Sequence, residues 1–151
     1  MQTIRKAKVE DIDSIKAILF NALKEHQIAI PDNYPLIDIN SIVRKNTEYA
    51  TFVMVRDETV IGFIILRPIS GDCIELKRLY LTFFERGRGL GRMLMNYTIQ
   101  YAQENRYKTI RLETTSKFKE AVSFYKRNGF RLLKCVDKSP GHDLAFEKRL
   151  E

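Results

Sequence analysis

The sequence contains no tryptophan and only two cysteines, two histidines and four prolines. Cys73 and Cys135 stand far apart without metal-ligand spacing, so two reduced, packed thiols are expected, not a disulfide, a zinc site or a nucleophile. His26 and His142 lack neighbouring partners for a Ser-His-Asp triad or a metal site, and no metal is expected. Long apolar runs are also absent. The stretch Val60 to Leu66 is far too short to cross a bilayer, and Met1 to Lys6 lacks the apolar core of a signal peptide. A cytoplasmic protein without membrane attachment is therefore expected. There is no internal repeat, low-complexity tract or linker, and 151 residues with 44% hydrophobic and 30% charged content suit one domain over 1–151.

Charge is in excess. Twenty-six basic against 19 acidic residues leave a net charge of +7, which points to nucleic acid, an acidic surface or a polyanionic small ligand. Nucleic-acid binding would need basic residues interleaved with exposed aromatics. Here the aromatics fall mainly at helix-core and strand positions, so no specific nucleic-acid partner is expected. The basic clusters Arg5 to Lys8 and Lys134 to Lys138 read as solubilising.

Periodicity places a strand at Thr3 to Val9 and a helix at Asp11 to Glu25, with Ile12, Ile15, Ile18, Leu19, Ala22 and Leu23 as its apolar stripe. After a Pro- and Asn-containing break at Ile28 to Leu36, a short helix is expected over Asp38 to Lys45. Ala50 to Arg56 and Val60 to Arg67 form a hairpin around Asp57-Glu58-Thr59, and Cys73 to Phe83 is a long fourth strand. A helix over Leu90 to Asn105 carries Leu90, Leu94, Tyr97 and Tyr101 on one face. A strand at Thr109 to Thr114, a helix from Lys117 to Asn128 closed by Gly129, and strands at Phe130 to Val136 and Leu144 to Leu150 complete the order.

Three of the seven glycines fall in Arg86-Gly87-Arg88-Gly89-Leu90-Gly91-Arg92, between the fourth strand and the following helix. Backbone without Cβ atoms can approach a ligand closely, and successive N–H groups at a helix start bind anionic oxygens. A dinucleotide loop would need glycine where Arg92 or Leu94 stands, and a Walker loop would end in Gly-Lys-Ser/Thr. The residues match Arg/Gln-x-x-Gly-x-Gly/Ala instead, which resembles the pyrophosphate-binding signature of the GNAT superfamily of acyl-CoA N-acyltransferases. Glu75-Leu-Lys-Arg-Leu-Tyr-Leu81 upstream is similar to that family's fourth strand. Ala121-Val-Ser-Phe-Tyr125-Lys-Arg-Asn-Gly-Phe130 downstream is similar to its Ala-x-x-Phe-Tyr-x-x-x-Gly-Phe element. The close resemblance covers Cys73 to Phe130.

The resemblance implies an α/β (α+β) fold: a seven-stranded, mixed and mostly antiparallel sheet, splayed after strand four and flanked by about four helices. It also implies an acetyl-CoA-dependent N-acetyltransferase binding its cosubstrate through Leu81, Thr82, Arg86, Gly87, Arg88, Gly89, Leu90, Gly91 and Arg92. Direct attack by a primary amine, of a small molecule or amino acid, in a ternary complex is expected. A protein N-terminus or lysine is the alternative acceptor, a non-catalytic acyl-CoA sensor is the rival class, and a homodimer through the last strands is plausible from the family.

The chemistry needs a neutral amine, a stabilised oxyanion and a proton for the departing thiolate. Glu75 stands where histone-type members carry their basic glutamate; alternatively it is a strand carboxylate paired with Lys77 or another cation. Tyr125 matches the family's general acid, and reference phenols and thiols differ by only about 1.5 pKa units. It also completes a stripe with Phe118, Ala121 and Val122 that would simply be buried. The resemblance implies the Leu81 N–H as oxyanion donor. Arg78 and Tyr80 could hold an acceptor carboxylate, or Arg78 could pair with Glu75 or a neighbour. Thr114, Thr115 and Ser116 could bond pantetheine or water, or equally well cap the next helix, which is the reading favoured for Ser116. Two departures from the family pattern are Phe83, where proline is usual, and Lys8, where a polar N-cap is usual. Phe83 and Phe84 could pack against the acyl or pantetheine chain, or anchor the loop, which is the reading favoured.

Overall fold

The structure, a computed structural model, describes residues 1–151 apart from Lys45 and Cys135. Its strands are β1 (Gln2–Lys6), β2 (Ala50–Arg56), β3 (Thr59–Pro68), β4 (Cys73–Leu81), β5 (Thr109–Thr114), β6 (Arg131–Leu132) and β7 (Leu144–Arg149). The helices are α1 (Ile12–Glu25), α2 (Ile37–Asn40), α3 (Leu90–Glu104) and α4 (Lys119–Arg127). Among the described residues the strands form one sheet in the order β1-β2-β3-β4-β5-β7-β6, in which only β4 and β5 run parallel. This is the mixed, mostly antiparallel sheet expected.

Each face of the sheet has its own apolar layer. Ile15, Ile18, Leu19 and Leu23 of α1 cover Val53, Phe63 and Ile65, so the stripe anticipated for that helix is the one that packs. On the opposite face Leu90, Leu94, Met95 and Ala102 of α3 meet Ile64, Leu66, Ile74 and Leu76. Tyr97 and Tyr101 flank that seam, edge-on to Phe52 at 5.0 and 5.3 Å between ring centres. The buried stripe of α3 therefore lies one position round from the expected Leu90-Leu94-Tyr97-Tyr101 face. At the β2–β3 hairpin, Asp57 and Glu58 both take positive φ, 49° and 65°, as a two-residue turn with matching twist requires.

Several elements are shorter than the sequence suggests, for local reasons. The strand expected over Phe130 to Val136 is paired only at Arg131–Leu132, and its Cys135 lies outside the described residues. After that point the chain turns toward β5, where Ser139 N–H donates to Glu113 Oε1 at 2.9 Å. α4 starts at Lys119, not Lys117, because Ser116 binds Asp143 through both N–H and Oγ–H, at 2.8 and 2.7 Å. Ser116 therefore straps the 139–143 turn and does not cap the helix. α2 is a single turn followed by a 3-10 turn at Ser41–Val43, tightened where Ser41 Oγ–H donates to Asp38 O at 2.6 Å; Lys45, where that helix was expected to end, lies outside the described residues. Lys8 precedes the 3-10 turn that leads into α1, and its N–H donates to Asp11 Oδ2 at 2.7 Å.

Two features of β4 set up the site. β5 pairs only with Cys73, Ile74 and Glu75, so from Leu76 onward the two parallel strands separate. On the other edge Leu66 is opposite Leu76 while Ile65 is opposite Arg78, making Lys77 the extra residue of a β-bulge. The bulge brings odd-numbered Glu75 and even-numbered Tyr80 to the same face: Glu75 pairs with Arg67, and Tyr80 stacks on Phe63, at 5.6 Å between ring centres.

Candidate active site

The gap between β4 and β5 opens into a cleft of about 1180 Å³. Its floor is β4 from Leu76 to Leu81. Along the antiparallel ladder Thr82 N–H points at β3, bonding Ile61 O at 2.9 Å, so alternation turns the polar backbone of Leu79 and Leu81 toward the gap. Leu81 O is taken up there by Arg86 Nη2–H at 3.2 Å.

Downstream, a 3-10 turn at Phe83–Glu85 leads into the glycine loop. Gly87 and Gly89 have φ of 77° and 79°, a region where side chains are strained, and a Cβ on either would meet only open space. The loop then runs into the first turn of α3. Among the described residues, no acceptor engages the backbone N–H groups from Gly87 to Arg92. An array of free N–H donors at the positive end of a 15-residue helix suits a pyrophosphate. Gly91 lies against Phe124 and Leu81, so the loop is seated on both α4 and β4.

Not every arginine of the loop is free to help. Arg86 bridges Glu25 at the end of α1, at 2.5 Å, and lies over the Phe83 ring. It fixes the loop to α1. Arg88 is mostly exposed, 3.8 Å from Glu85, and Glu85 also pairs with Arg56. Arg92 lines the cleft.

Tyr125 projects from α4 into the cleft and is otherwise enclosed by Phe124, Phe130 and Phe146. Burial, with a smaller contribution from Tyr80, raises its pKa well above that of a free phenol. The narrow phenol–thiol gap of reference compounds therefore does not apply here, and the hydroxyl keeps its proton through the neutral range. Tyr80 is likewise pushed up to about 12 by burial.

Arg78 lines the cleft with its guanidinium already engaged. Nε and Nη2 donate to Asp38 at 2.6 and 3.4 Å, Nη2 to Pro35 O at 3.0 Å, and Nη1 to Tyr34 Oη at 3.4 Å. Burial alone would lower its pKa, but the Asp38 hydrogen bond and charge reverse the sign and raise it. The pair fastens α2 and the segment before it over β4. Across the gap, Glu113 accepts from Ser139 N–H and pairs with His142 Nδ1 at 3.2 Å. Burial would raise its pKa, yet these partners hold it below the usual carboxylate value.

The structure thus brings Arg78, Tyr80, Leu81, Arg86, Gly87, Gly89, Gly91, Arg92 and Tyr125 to one cleft. Four other expected residues point elsewhere. Glu75 sits where β4 is still paired on both edges, and its carboxylate lies 3.0 Å from Arg67 Nη2. Thr82 Oγ1 faces Ile61 O, Arg88 faces solvent, and the Leu90 side chain is in the core. Residues that the sequence did not mark as site residues complete the walls: His26, Phe118, Glu113 and His142. Phe83 and Phe84 pack edge-on against each other and remain exposed.

Residues 16–130 match the model of the Acetyltransferase (GNAT) family. An uncharacterized N-acetyltransferase of Schizosaccharomyces pombe is 29% identical over 146 residues, covering 94% of this chain and 89% of that protein. A spermidine N(1)-acetyltransferase of Thermoplasma acidophilum is 28% identical over 161 residues, covering 98% and 97%. The crystal structure of the PaiA N-acetyltransferase from Thermoplasma acidophilum, in complex with coenzyme A, superposes with a TM-score of 0.79 at 25% identity over 99% of both chains. With the splayed β4–β5 pair, the open N–H cradle and the family match in agreement, the chain belongs to the acetyltransferase (GNAT) family and is an acyl-CoA-dependent N-acetyltransferase.

Proposed function

We propose that the protein transfers the acetyl group of acetyl-CoA to the primary amine of a small molecule, by direct attack in a ternary complex. The observation that carries this reading is the convergence of the N–H cradle of Gly87 to Arg92, the gap-facing backbone of Leu81 and the Tyr125 hydroxyl on one cleft. The pyrophosphate rests on the cradle, and pantetheine runs along the opened edge of β4. As the amine attacks, the Leu81 N–H receives the oxyanion; a preorganised donor of this kind contributes about 3 kcal/mol. Collapse breaks the C–S bond. Tyr125 donates to the sulfur and recovers a proton from the nitrogen, so its raised pKa is no obstacle to a relay. We assign Glu75 to its ion pair with Arg67, behind the strand pairing, and Arg78 to fastening the wall.

A small acceptor is favoured because the cleft is walled on both sides. The 28–35 segment is held down through Arg78, and the 139–142 turn is held to β5 by Glu113 and Ser116. The similar Thermoplasma protein named for spermidine points the same way.

The test is thiol release from acetyl-CoA with spermidine, aspartate, glutamate and short peptides as acceptors, beside calorimetry of acetyl-CoA binding. Binding that a folded Gly89→Glu variant loses, with release driven by a small amine, is the expected result. Preference for a peptide N-terminus or lysine would overturn the acceptor class. Tight binding with no acceptor-dependent release would make the protein a sensor.

A further inference from the structure

His26, the C-cap residue that follows α1, lines the cleft. Its Nδ1 lies 3.0 Å from the carbonyl oxygen of Ala22. A carbonyl only accepts, so in the neutral ring Nδ1 carries the proton and Nε2 holds a lone pair. Two sets of contacts bring this ring to the reacting part of β4. The first is aromatic: His26 stands edge-on to Phe118 at 4.6 Å and 83°, and Phe118 stands edge-on to Tyr80 at 6.3 Å. The second runs through the preceding residue: Glu25 holds Arg86, and Arg86 donates to Leu81 O. Both end at Tyr80–Leu81, where the oxyanion donor lies.

Three other groups are worse placed as bases. Glu75 faces Arg67 outside the cleft, Glu113 is held ionised by Ser139 and His142, and Tyr80 keeps its proton in its buried setting. The titratable and charged groups that share the cleft with His26 are Tyr34 before α2, Lys77, Arg78 and Tyr80 on β4, Arg86 and Arg92 at the loop, Glu113 on β5, Glu120, Tyr125 and Arg127 on α4, and His142, while Lys24 and Glu25 precede it on α1. Arg78 and Arg86 are each closed by a carboxylate, Asp38 and Glu25.

We propose that His26 Nε2 is the base that takes the proton from the acceptor ammonium, an assignment that rests on the ternary-complex reading above. The ammonium gives one proton to Nε2, and the freed amine forms the C–N bond while the carbonyl π electrons move to oxygen. They return as the C–S bond breaks. The second nitrogen proton passes through Tyr125 to sulfur, and the imidazolium releases its proton to water. An amide, free CoA thiol and one proton result.

His26→Asn tests this, because an Asn amide can still donate to Ala22 O but offers no ring base. Spermidine, which is protonated near neutrality, and hydroxylamine, which is largely not, serve as amine probes. The expected result is about a 100-fold fall in kcat/KM for spermidine with loss of the acidic limb of its pH profile. Thiol release with hydroxylamine and acetyl-CoA affinity stay close to the wild type, whereas a purely structural role would lower them together with the spermidine rate. Retention of the spermidine rate and its acidic limb, or an equal fall for both amines, overturns the assignment. Calorimetry of acetyl-CoA on the wild type tests the underlying reading separately. Long-range 15N–1H spectra of the wild type decide the tautomer without turnover: Nδ1–H supports the proposal, and a neutral ring protonated at Nε2 overturns it.

Discussion

Replacing Asp38 by alanine tests whether the wall over the acceptor side of the cleft is held by one ion pair. Asp38 is 1% exposed and the Arg78 side chain 9%, so the variant strands a guanidinium in a place water barely reaches. Removing one member of a buried pair typically costs about 3–5 kcal/mol. Arg78 would keep its bonds to Pro35 O at 3.0 Å and Tyr34 Oη at 3.4 Å, which argues for the lower end, about 3 kcal/mol. For a chain of this size that is a fall in melting temperature of about 6–12 °C. Urea titration gives the free energy directly, and a cycle with Arg78→Met and the double variant isolates the pair. Coupling above about 1 kcal/mol is expected, because the methionine partly relieves the stranded charge. Acetyl-CoA affinity should change little, since the loop is tied to α1 through Arg86–Glu25 and not through Asp38. KM for the amine should rise. A loss below about 1 kcal/mol, the level of an exposed pair, or strict additivity would refute the claim that this contact holds the wall.

Gly62→Ala places a Cβ 2.7 Å from Leu81 Cδ2 and 3.0 Å from Tyr80 O; overpacking of this kind costs about 1–3 kcal/mol, and acetyl-CoA affinity should fall with the shifted end of β4 in calorimetry. Tyr125→Phe should lower kcat about 100-fold at unchanged acetyl-CoA affinity in stopped-assay kinetics, and an unchanged kcat would remove it from the proton path. Asp11 is held below its ordinary pKa chiefly by the Arg5 hydrogen bond, with burial opposing as the next-largest effect and Lys8 N–H adding to the lowering. Its contribution is therefore present above the unfolded carboxylate pKa of about 4 and is lost as pH falls through the lower folded value. With Arg5 one-third exposed the effect is about 1 kcal/mol at most, so the urea-midpoint gap between wild type and Asp11→Asn should be visible at pH 6 and shrink toward pH 3.

The parts of the site that were legible in the sequence are those the backbone dictates. A glycine needed at positive φ announces itself, and so the cradle at Gly87 to Gly91 could be located without a structure, as could the α1 stripe and the β2–β3 turn. Of the two readings open for Glu75, the structure shows the paired carboxylate, and the sequence could not separate them for a physical reason: strand alternation says which face a residue takes but not where the neighbouring strand stops pairing. β5 leaves β4 after Glu75, one residue short of the cleft. The bulge at Lys77 compounds this, because it reverses parity within the strand and aims Arg78 and Tyr80 at the α1 side while Leu79 and Leu81 pack with α3. Arg78 found its partner 40 positions earlier, on a one-turn helix that propensity alone barely supports. His26 shows the opposite case. Nothing near it in sequence marks it, and the role proposed for it rests on the tie of the end of α1 to the glycine loop by Glu25 and Arg86. That tie joins the cosubstrate cradle to the wall carrying the proposed base, so acetyl-CoA seated on the loop and an amine beside His26 share one rigid frame. Arg86 of the motif thus links the end of α1 to the Leu81 carbonyl through its two guanidinium nitrogens.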